Sequence, residues 1–415
     1  MTTSPEASRK SGELAAPGKL DRAEGSANGA EPGPAQAPPP AQGHRPALSD
    51  RLPTPWLFPV LAFGASWVLI LVAWQVANSV YHTAWPWGKY FRYGDAGNYN
   101  WIAIHAYSSP RSFTAPPFSR TVFFPLIPEL ARTTAYMTQH QYLSAEILVQ
   151  VVAGAASAVA VWALAAHIKD HRVADRTVLL YLAFPGAMTL GMFYPEPLGN
   201  ALAALSLLAV LNRKWLAAGL LACVASADHP VLIVLTPALA VAAFQAIRRR
   251  REWAALVAPV LAPLGMAGYF ALLAGEYHDF FFWFRDQGGS WLQRADWIGH
   301  ELRVLTWTDP ATRAHPFFNA LLIVMALALI AGIALMRPAR LPLVVCVYTV
   351  LAVLALGLAD KPGPTPRLAW TALGVFIAVA AKVPARLYWP LLVLSAGLLA
   401  FLYGWWPHQG LALAP

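Results

Sequence analysis

The sequence predicts an all-α protein, a polytopic bundle of transmembrane helices, and three observations lead to this fold class. Hydrophobic residues make up 57% of the 415 residues and charged residues only 12%, whereas a soluble domain carries about 25% charged residues. The apolar residues form long runs without alternation, which favours helices over strands for crossing a bilayer. The short turns on one side of these runs are rich in lysine and arginine, as is typical of cytoplasmic turns.

We expect about eleven spans, because a span needs about 20 apolar residues, although one of the runs is short for that purpose. Long outer loops that carry short interfacial helices separate some of them. The runs lie at 57–79, 144–166, 177–194, 196–212, 215–227 (the short one), 230–247, 254–274, 317–336, 341–359, 366–382 and 387–404.

The chain divides into a tail, residues 1–52, and a transmembrane domain, residues 53–415. The tail is rich in Pro, Ala, Gly and Ser, so we expect it to be disordered and cytoplasmic. No apolar stretch precedes Trp56, which argues against a secretory signal and makes the first run a signal anchor. With the N-terminus inside, every short cytoplasmic turn is basic. These turns carry Lys169, Arg172, Arg176, Arg213, Lys214, Arg248 to Arg251, Arg337, Arg340, Lys382 and Arg386.

The net charge of +9 does not indicate a nucleic-acid partner, because these inside turns account for the basic residues. We expect an integral protein of the cell membrane, in contact with membrane lipids. Cys223 and Cys346 lie in apolar runs and show neither metal spacing nor a disulfide framework. The sequence has no Walker A, GxGxxG or HExxH pattern that would indicate nucleotide or zinc chemistry.

Two long loops, 80–143 and 275–316, face outward in this topology. They mix aromatic and charged residues, a composition typical of helices that lie on the bilayer surface. Polar residues that are costly at bilayer depth gather at the same outer side, which suggests a site there. They are Asp95, Glu196, Asp228, His229, Asp279, Gln287, Asp360 and Arg367.

Asp95 is the candidate catalytic residue of this outer site. One interpretation makes it a helix N-cap, since Asp-Ala-Gly-Asn can open a helix. The other makes it a general base that takes the proton of an attacking hydroxyl. One carboxylate is then sufficient if the leaving group is a phosphate, because a phosphate needs no acid in order to leave.

The other candidates also have a structural and a functional interpretation. Glu196 begins a helix, where the dipole favours a carboxylate, or it holds substrate hydroxyls. Asp228 and His229 occupy another outer turn with the same two roles open. Arg367 extends to the headgroups or binds a phosphate with its planar fork.

Gln287 and Trp291 contact a sugar ring or anchor the loop at the interface. The outer histidines show no metal-ligand spacing, so no metal site is predicted, although a divalent cation remains possible.

Together these residues resemble the PIG-V-type mannosyltransferases, a GPI mannosyltransferase 2-like family of the GT-C glycosyltransferase superfamily. The resemblance runs from about Tyr90 to Leu402. The family's first outer motif is similar to the segment from Arg92 to Tyr107, with Asp95 and Tyr99 in the matching places. Its Phe-Phe-Pro-Leu-Tyr-Pro run looks like residues 123–128, and further matches are Tyr194-Pro195-Glu196, Gln287 with Trp291, and Pro366-Arg367.

Two departures from the family pattern stand out. Gly94 precedes the aspartate where the family has tryptophan. Asp228-His229-Pro230 stands where the family has a Thr-Arg-Pro-type turn, so an arginine that would serve phosphate or acceptor binding is missing there.

The resemblance implies a GT-C-like bundle that transfers mannose, with inversion, from a polyprenyl-phosphate-linked donor to an acceptor glycan, lipid or protein on the outer face. The donor is a substrate rather than a cofactor. Asp95 would be the general base, and Arg92, Tyr99, Glu196, Asp228, His229, Gln287, Trp291 and Arg367 would bind the substrates. A lipid or glycolipid flippase or transporter, and a non-catalytic subunit of a glycosylation complex, are the alternatives. The nearly charge-free span centres favour chemistry at the surface over transport.

Overall fold

The computed structural model describes residues 47–107, 120–289, 296, 298–309, 315–358 and 365–408, and only the backbone of His300 and Glu301. Every regular element in these residues is a helix, which confirms the all-α prediction. The helices are α1 (Leu57–Val80), α2 (Trp87–Phe91), α3 (Asp95–His105), α4 (Leu126–Met137), α5 (Tyr142–Ile168), α6 (His171–Ala183), α7 (Glu196–Leu211), α8 (Trp215–Asp228), α9 (Leu235–Arg250), α10 (Val257–Leu261), α11 (Leu264–Tyr277), α12 (Phe282–Gly289), α13 (Gly299–Leu305), α14 (Pro316–Met336), α15 (Leu343–Leu356), α16 (Thr365–Ala369), α17 (Leu373–Lys382) and α18 (Ala385–Trp405).

Several helical stretches are long and apolar enough to cross a membrane, which makes this an integral membrane protein. The stretches are Leu57–Val80, Tyr142–Ile168, Pro230–Arg250, Trp253–Tyr277, Pro316–Met336 and Ala385–His408. Four further predicted spans correspond to shorter apolar helices, namely α7, α8, α15 and α17.

Two of the predicted spans leave the α-helix near the outer polar residues. In the run 177–194, α6 ends at Ala183 and a 3-10 helix follows at Pro185–Gly191. Proline at position 185 disfavours the helical conformation of the residue before it, and Phe184 is indeed extended. The run 366–382 divides into α16 and α17. Both interruptions lie near the outer polar residues, so irregular backbone occurs where these side chains collect.

The order of the helices places the basic turns together at one end of the bundle. Helices α5, α7, α9, α14 and α17 all finish next to such turns, whereas α7 begins and α8 finishes at the other end, among the outer polar residues. Which end faces the cytoplasm stays a prediction. The first 46 residues of the predicted tail lie outside the described residues. Its last part includes a 3-10 helix, Ser49–Arg51, whose Ser49 amide donates to Asp175 Oδ2 at 2.9 Å.

The predicted outer loops contain short helices, α2 to α4 in the first and α12 and α13 in the second. The two loops contact each other. The Trp283 indole donates to the carbonyl of Val122 at 3.1 Å, and the Tyr269 hydroxyl donates to that of Thr121 at 2.6 Å. Phe124 packs against the rings of both Tyr269 and Trp283. These contacts hold residues 120–124 against α11 and α12.

Candidate functional site

Asp95 is the first residue of α3, and Gly94 makes that position possible. Gly94 has φ 66° and ψ −136°, a conformation that residues with a side chain rarely adopt. The helix therefore begins directly at Asp95, and the Asp95 amide donates to the Tyr194 hydroxyl at 3.0 Å. The N-cap interpretation is wrong, because Gly94 is the N-cap and has no side chain with which to cap.

Arg367 joins Asp95 to Glu196 across the site. Its Nη2 atom lies 2.7 Å from Asp95 Oδ2, and its Nη1 atom lies 2.8 Å from Glu196 Oε1. The guanidinium also lies over the Tyr194 ring, 5.0 Å from its centroid. Only 8% of Arg367 is exposed, so the side chain points into the protein rather than towards the headgroups. We call Asp95, Glu196 and Arg367 the bridged triad.

A close backbone contact sets the position of Arg367. A Cβ atom on Gly186 would overlap the carbonyl oxygen of Pro366, so only glycine lets α16 pack so near the Pro185–Gly191 segment. Trp370 completes this attachment. Its indole donates to the Tyr181 carbonyl at 2.8 Å, and the two rings stack with centroids 4.5 Å apart.

Asp228 and His229 lie near Glu196, the triad member at the start of α7. Glu196 begins α7, where the helix dipole favours a carboxylate, so its structural and functional interpretations hold at once. His229 Nε2 is 3.9 Å from Glu196 Oε1. Asp228 is fully buried, and within the described residues neither carboxyl oxygen has a hydrogen-bond partner of ordinary geometry. Its Oδ2 atom lies against Gly199, where a Cβ atom would be 3.0 Å away.

Tyr99 belongs to the same cluster. Its ring packs edge-on against Phe123, with centroids 5.0 Å apart, and lies near the Tyr194 ring. Burial raises the pKa of the Tyr99 hydroxyl well above its ordinary value, and the nearby carboxylate of Glu196 raises it further. Tyr99 is therefore a neutral hydrogen-bond donor beside two carboxylates.

Arg92 lies in a second ion pair, whose partner the sequence analysis missed. Its Nε atom is 2.8 Å from Glu146 Oε2, and the amide of Asn100 donates to the other oxygen of that carboxylate. Glu146 is fully buried, whereas 30% of the Arg92 side chain is exposed. A lone glutamate near the start of an apolar span was the signal for this pair, since such a residue needs a partner.

The remaining predicted residues are not joined to the triad. Gln287 lies on α12, half-buried, and no hydrogen bond or ion pair links it to the triad in the described part of the chain. Asp279 pairs with Arg285 on the same outer segment. Trp291 and Asp360 lie outside the described residues, so their roles stay predictions.

The triad places two carboxylates on one guanidinium, which leaves a negative charge in excess. Arginine stays charged at any relevant pH, so one fixed positive charge serves two acidic side chains. A carboxylate oxygen has more than one acceptor position, so one hydrogen bond to arginine leaves capacity to accept a proton or a hydroxyl. No group of three or more His, Cys, Asp or Glu side chains suited to hold a metal ion occurs among the described residues.

No protein-family model matches the chain, and no curated protein matches it. The resemblance to the PIG-V-type family therefore stays a prediction. Solved structures that are similar include ArnT from Cupriavidus metallidurans bound to undecaprenyl phosphate, with 16% identity, TM-score 0.48, and coverage of 80% of this chain and 62% of that one. The apo oligosaccharyltransferase of Archaeoglobus fulgidus is similar at 15% identity and TM-score 0.46, with coverage of 84% and 55%. The chain thus spans less than two thirds of the length of either protein.

Proposed function

We propose that this protein is a membrane glycosyltransferase that moves a sugar, most simply mannose, from a polyprenyl-phosphate donor to an acceptor glycan, lipid or protein. The reaction would take place at the outer face of the cell membrane. The bridged triad carries the proposal, because it brings a base and a phosphate-binding cation together at the end of apolar helices. The fold brings these side chains together although Arg367 lies 171 positions from Glu196 and 272 positions from Asp95 in the chain.

The donor's chemistry matches this location. A polyprenyl tail partitions into the bilayer, so its phosphate is held at the level of the headgroups, where the helices end. The planar guanidinium of Arg367 is suited to bind a phosphate in two places. Since Arg367 already contacts two carboxylates, an incoming phosphate would compete with them for its N–H groups. The cation then stabilises the negative charge that builds on the phosphate as it leaves.

Asp95 would act as the base in a single displacement. The acceptor hydroxyl oxygen attacks the anomeric carbon, and the bond from that carbon to the phosphate oxygen breaks with its electron pair on the phosphate. The hydroxyl proton passes to Asp95, and polyprenyl phosphate leaves. Competition by the phosphate for Arg367 weakens the hold of arginine on Asp95, which makes this carboxylate a better base when the donor is bound. Inversion at the anomeric carbon follows from the single displacement.

Tyr99, Glu196 and Arg92 would help to bind the substrates. Glu196 and the neutral hydroxyl of Tyr99 are positioned beside Asp95 to hold sugar hydroxyls. The Arg92 side chain is partly exposed, so it can bind a phosphate or an acceptor group while it keeps its ion pair with Glu146. The buried carboxylate of Asp228 and the ring of His229 would support Glu196 from behind.

The experiment is a donor screen with purified protein in lipid nanodiscs. Polyprenyl-phosphate donors that carry mannose, glucose or a pentose are supplied with a mixture of glycan and glycolipid acceptors, and released polyprenyl phosphate is measured. The proposal predicts acceptor-dependent release, greatest with mannose, that is lost in Asp95→Asn and kept in the matched control Asp279→Asn. Release without loss in Asp95→Asn would remove the base, and no release from any donor would favour a non-catalytic role for the triad.

A further inference from the structure

A basic cavity lies at the end of the bundle opposite to the bridged triad. Helix α7 begins at Glu196, in the triad, and its 16 residues rise about 24 Å before it ends at Leu211. The cavity, about 190 Å³, lies beside that end, between the turns that follow α7 and α9 and the start of α15. Its lining includes Arg213, Arg249, Arg250 and Glu252. It is therefore separate from the proposed catalytic site.

The charges in this cavity leave two cations available for a ligand. Arg213 and Glu252 form an ion pair, so the Glu252 carboxylate is neutralised and would not repel an anionic ligand. Arg249 and Arg250 are exposed and have neither an ion pair nor a side-chain hydrogen bond within the described residues. They lie in the last turn of α9, and Gln245 adds a neutral hydrogen-bonding group one turn earlier.

An apolar surface continues from the cationic end. An adjoining cavity of about 440 Å³ shares Gln245, Arg249 and Leu343 with the first. It is also lined by Val241 and Phe244, and by Arg248 at its cationic end. Phe244 is 61% exposed and Leu343 is 48% exposed, so these two apolar side chains are accessible to a lipid acyl chain. Together, the two cavities have an anion-binding end and an apolar wall that leads from that end towards the membrane interior.

We propose that these two cavities bind one anionic phospholipid of the adjacent leaflet. Its phosphodiester would contact Arg249 and Arg250, and one acyl chain would lie along Phe244 and Leu343. Arginine pairs with phosphate oxygens through several N–H groups, and basic pockets between helices suit anionic lipid headgroups. A free phosphate would use the arginines but gain nothing from the apolar wall, so the lipid is the better ligand. This lipid would be a structural ligand, bound far from the proposed sugar transfer.

Native mass spectrometry of the detergent-purified protein tests this directly. The protein is titrated with phosphatidylglycerol or with phosphatidylcholine of the same acyl chains, and inorganic phosphate is added as a competitor. We expect phosphatidylglycerol to bind at least tenfold more tightly than phosphatidylcholine, and millimolar phosphate not to displace it. Equal binding of the two lipids, or displacement by phosphate alone, would overturn the proposal.

A matched pair of variants separates a site from diffuse attraction to basic residues. The Arg249→Gln, Arg250→Gln variant removes two charges from the cavity, and the Arg337→Gln, Arg386→Gln variant removes two exposed charges from other turns at the same end. We expect roughly tenfold weaker phosphatidylglycerol binding in the first variant and little change in the second, since each arginine near an anionic headgroup contributes several-fold. Equal weakening in both would show attraction without a site.

Discussion

Removal of the bridging arginine is the sharpest perturbation of the candidate site. Arg367→Met keeps an unbranched side chain but removes the guanidinium, the only cation that contacts both Asp95 and Glu196 in the described structure. The Glu196 side chain is 1% exposed and that of Asp95 is 19% exposed, so Glu196 bears most of the penalty. Loss of one partner from a buried ion pair costs about 3–5 kcal/mol, and we expect the free energy of unfolding to fall by that amount.

A second substitution should restore much of this loss. In the Arg367→Met, Glu196→Gln variant the buried charge that lost its partner is gone. What remains is an unsatisfied neutral amide, which costs about 1–3 kcal/mol, and the more exposed carboxyl group of Asp95. The double variant should therefore be more stable than Arg367→Met alone, although it carries one more change. If packing alone mattered, the second substitution would lower the stability further. A higher stability of the double variant therefore indicates that the buried charge is what destabilises Arg367→Met.

The assay is equilibrium unfolding in mixed detergent micelles, followed by tryptophan fluorescence. Arg285→Met serves as the control, because Arg285 is 68% exposed in its pair with Asp279. An exposed pair contributes about 0–1 kcal/mol, so the control should differ little from the wild type. The reasoning is refuted if Arg367→Met costs no more than the control, or if addition of Glu196→Gln lowers the stability further.

Three further predictions follow from the same contacts. Gly186→Ala should lower donor turnover by about tenfold or more, because the added methyl group overlaps the backbone of the short helix that carries the bridging arginine, whereas Gly268→Ala, with open space around it, should leave turnover unchanged. Glu146→Gln should lower the free energy of unfolding by about 1.5–3 kcal/mol, because Arg92 loses a charged hydrogen-bond partner; an unchanged denaturation midpoint would contradict this. Burial and then the Glu196 carboxylate hold the pKa of Tyr99 well above its ordinary value, so the hydroxyl keeps its proton as the pH rises. Titration of Tyr99 should therefore not lower turnover up to a pH of about 10. A fall in wild-type turnover below that pH that is absent in Tyr99→Phe would contradict this.

The sequence supplied the members of the triad but not their arrangement. Topology and the cost of polar groups near lipid predicted that Asp95, Glu196 and Arg367 lie at the same end of the bundle. Which charges pair depends on tertiary contacts, above all the approach of α16 to Gly186, and no local pattern encodes that approach. The glycine before Asp95, which departs from the family motif, is what lets the helix begin at the aspartate.

The fold was predictable in its class and less so in its details. Long apolar runs indicate membrane-crossing helices, and the bundle has them. The breaks at Pro185 and after Ala369 were not predicted, because hydropathy stays high where the backbone leaves the α-helix. Glu146 was missed for the same reason, since one charge hardly changes the mean hydropathy of a long run.

A single-turnover experiment with donor already bound isolates the chemical step in which Asp95 would act as the base. Wild-type protein and Asp95→Asn are loaded with labelled donor in nanodiscs, acceptor is added in excess, and transfer of the sugar is followed in time. We predict that Asp95→Asn retains the donor but transfers its sugar at least about a hundredfold more slowly, the size expected when a general base is removed. Transfer by Asp95→Asn at the wild-type rate would contradict the assignment of this aspartate as the base.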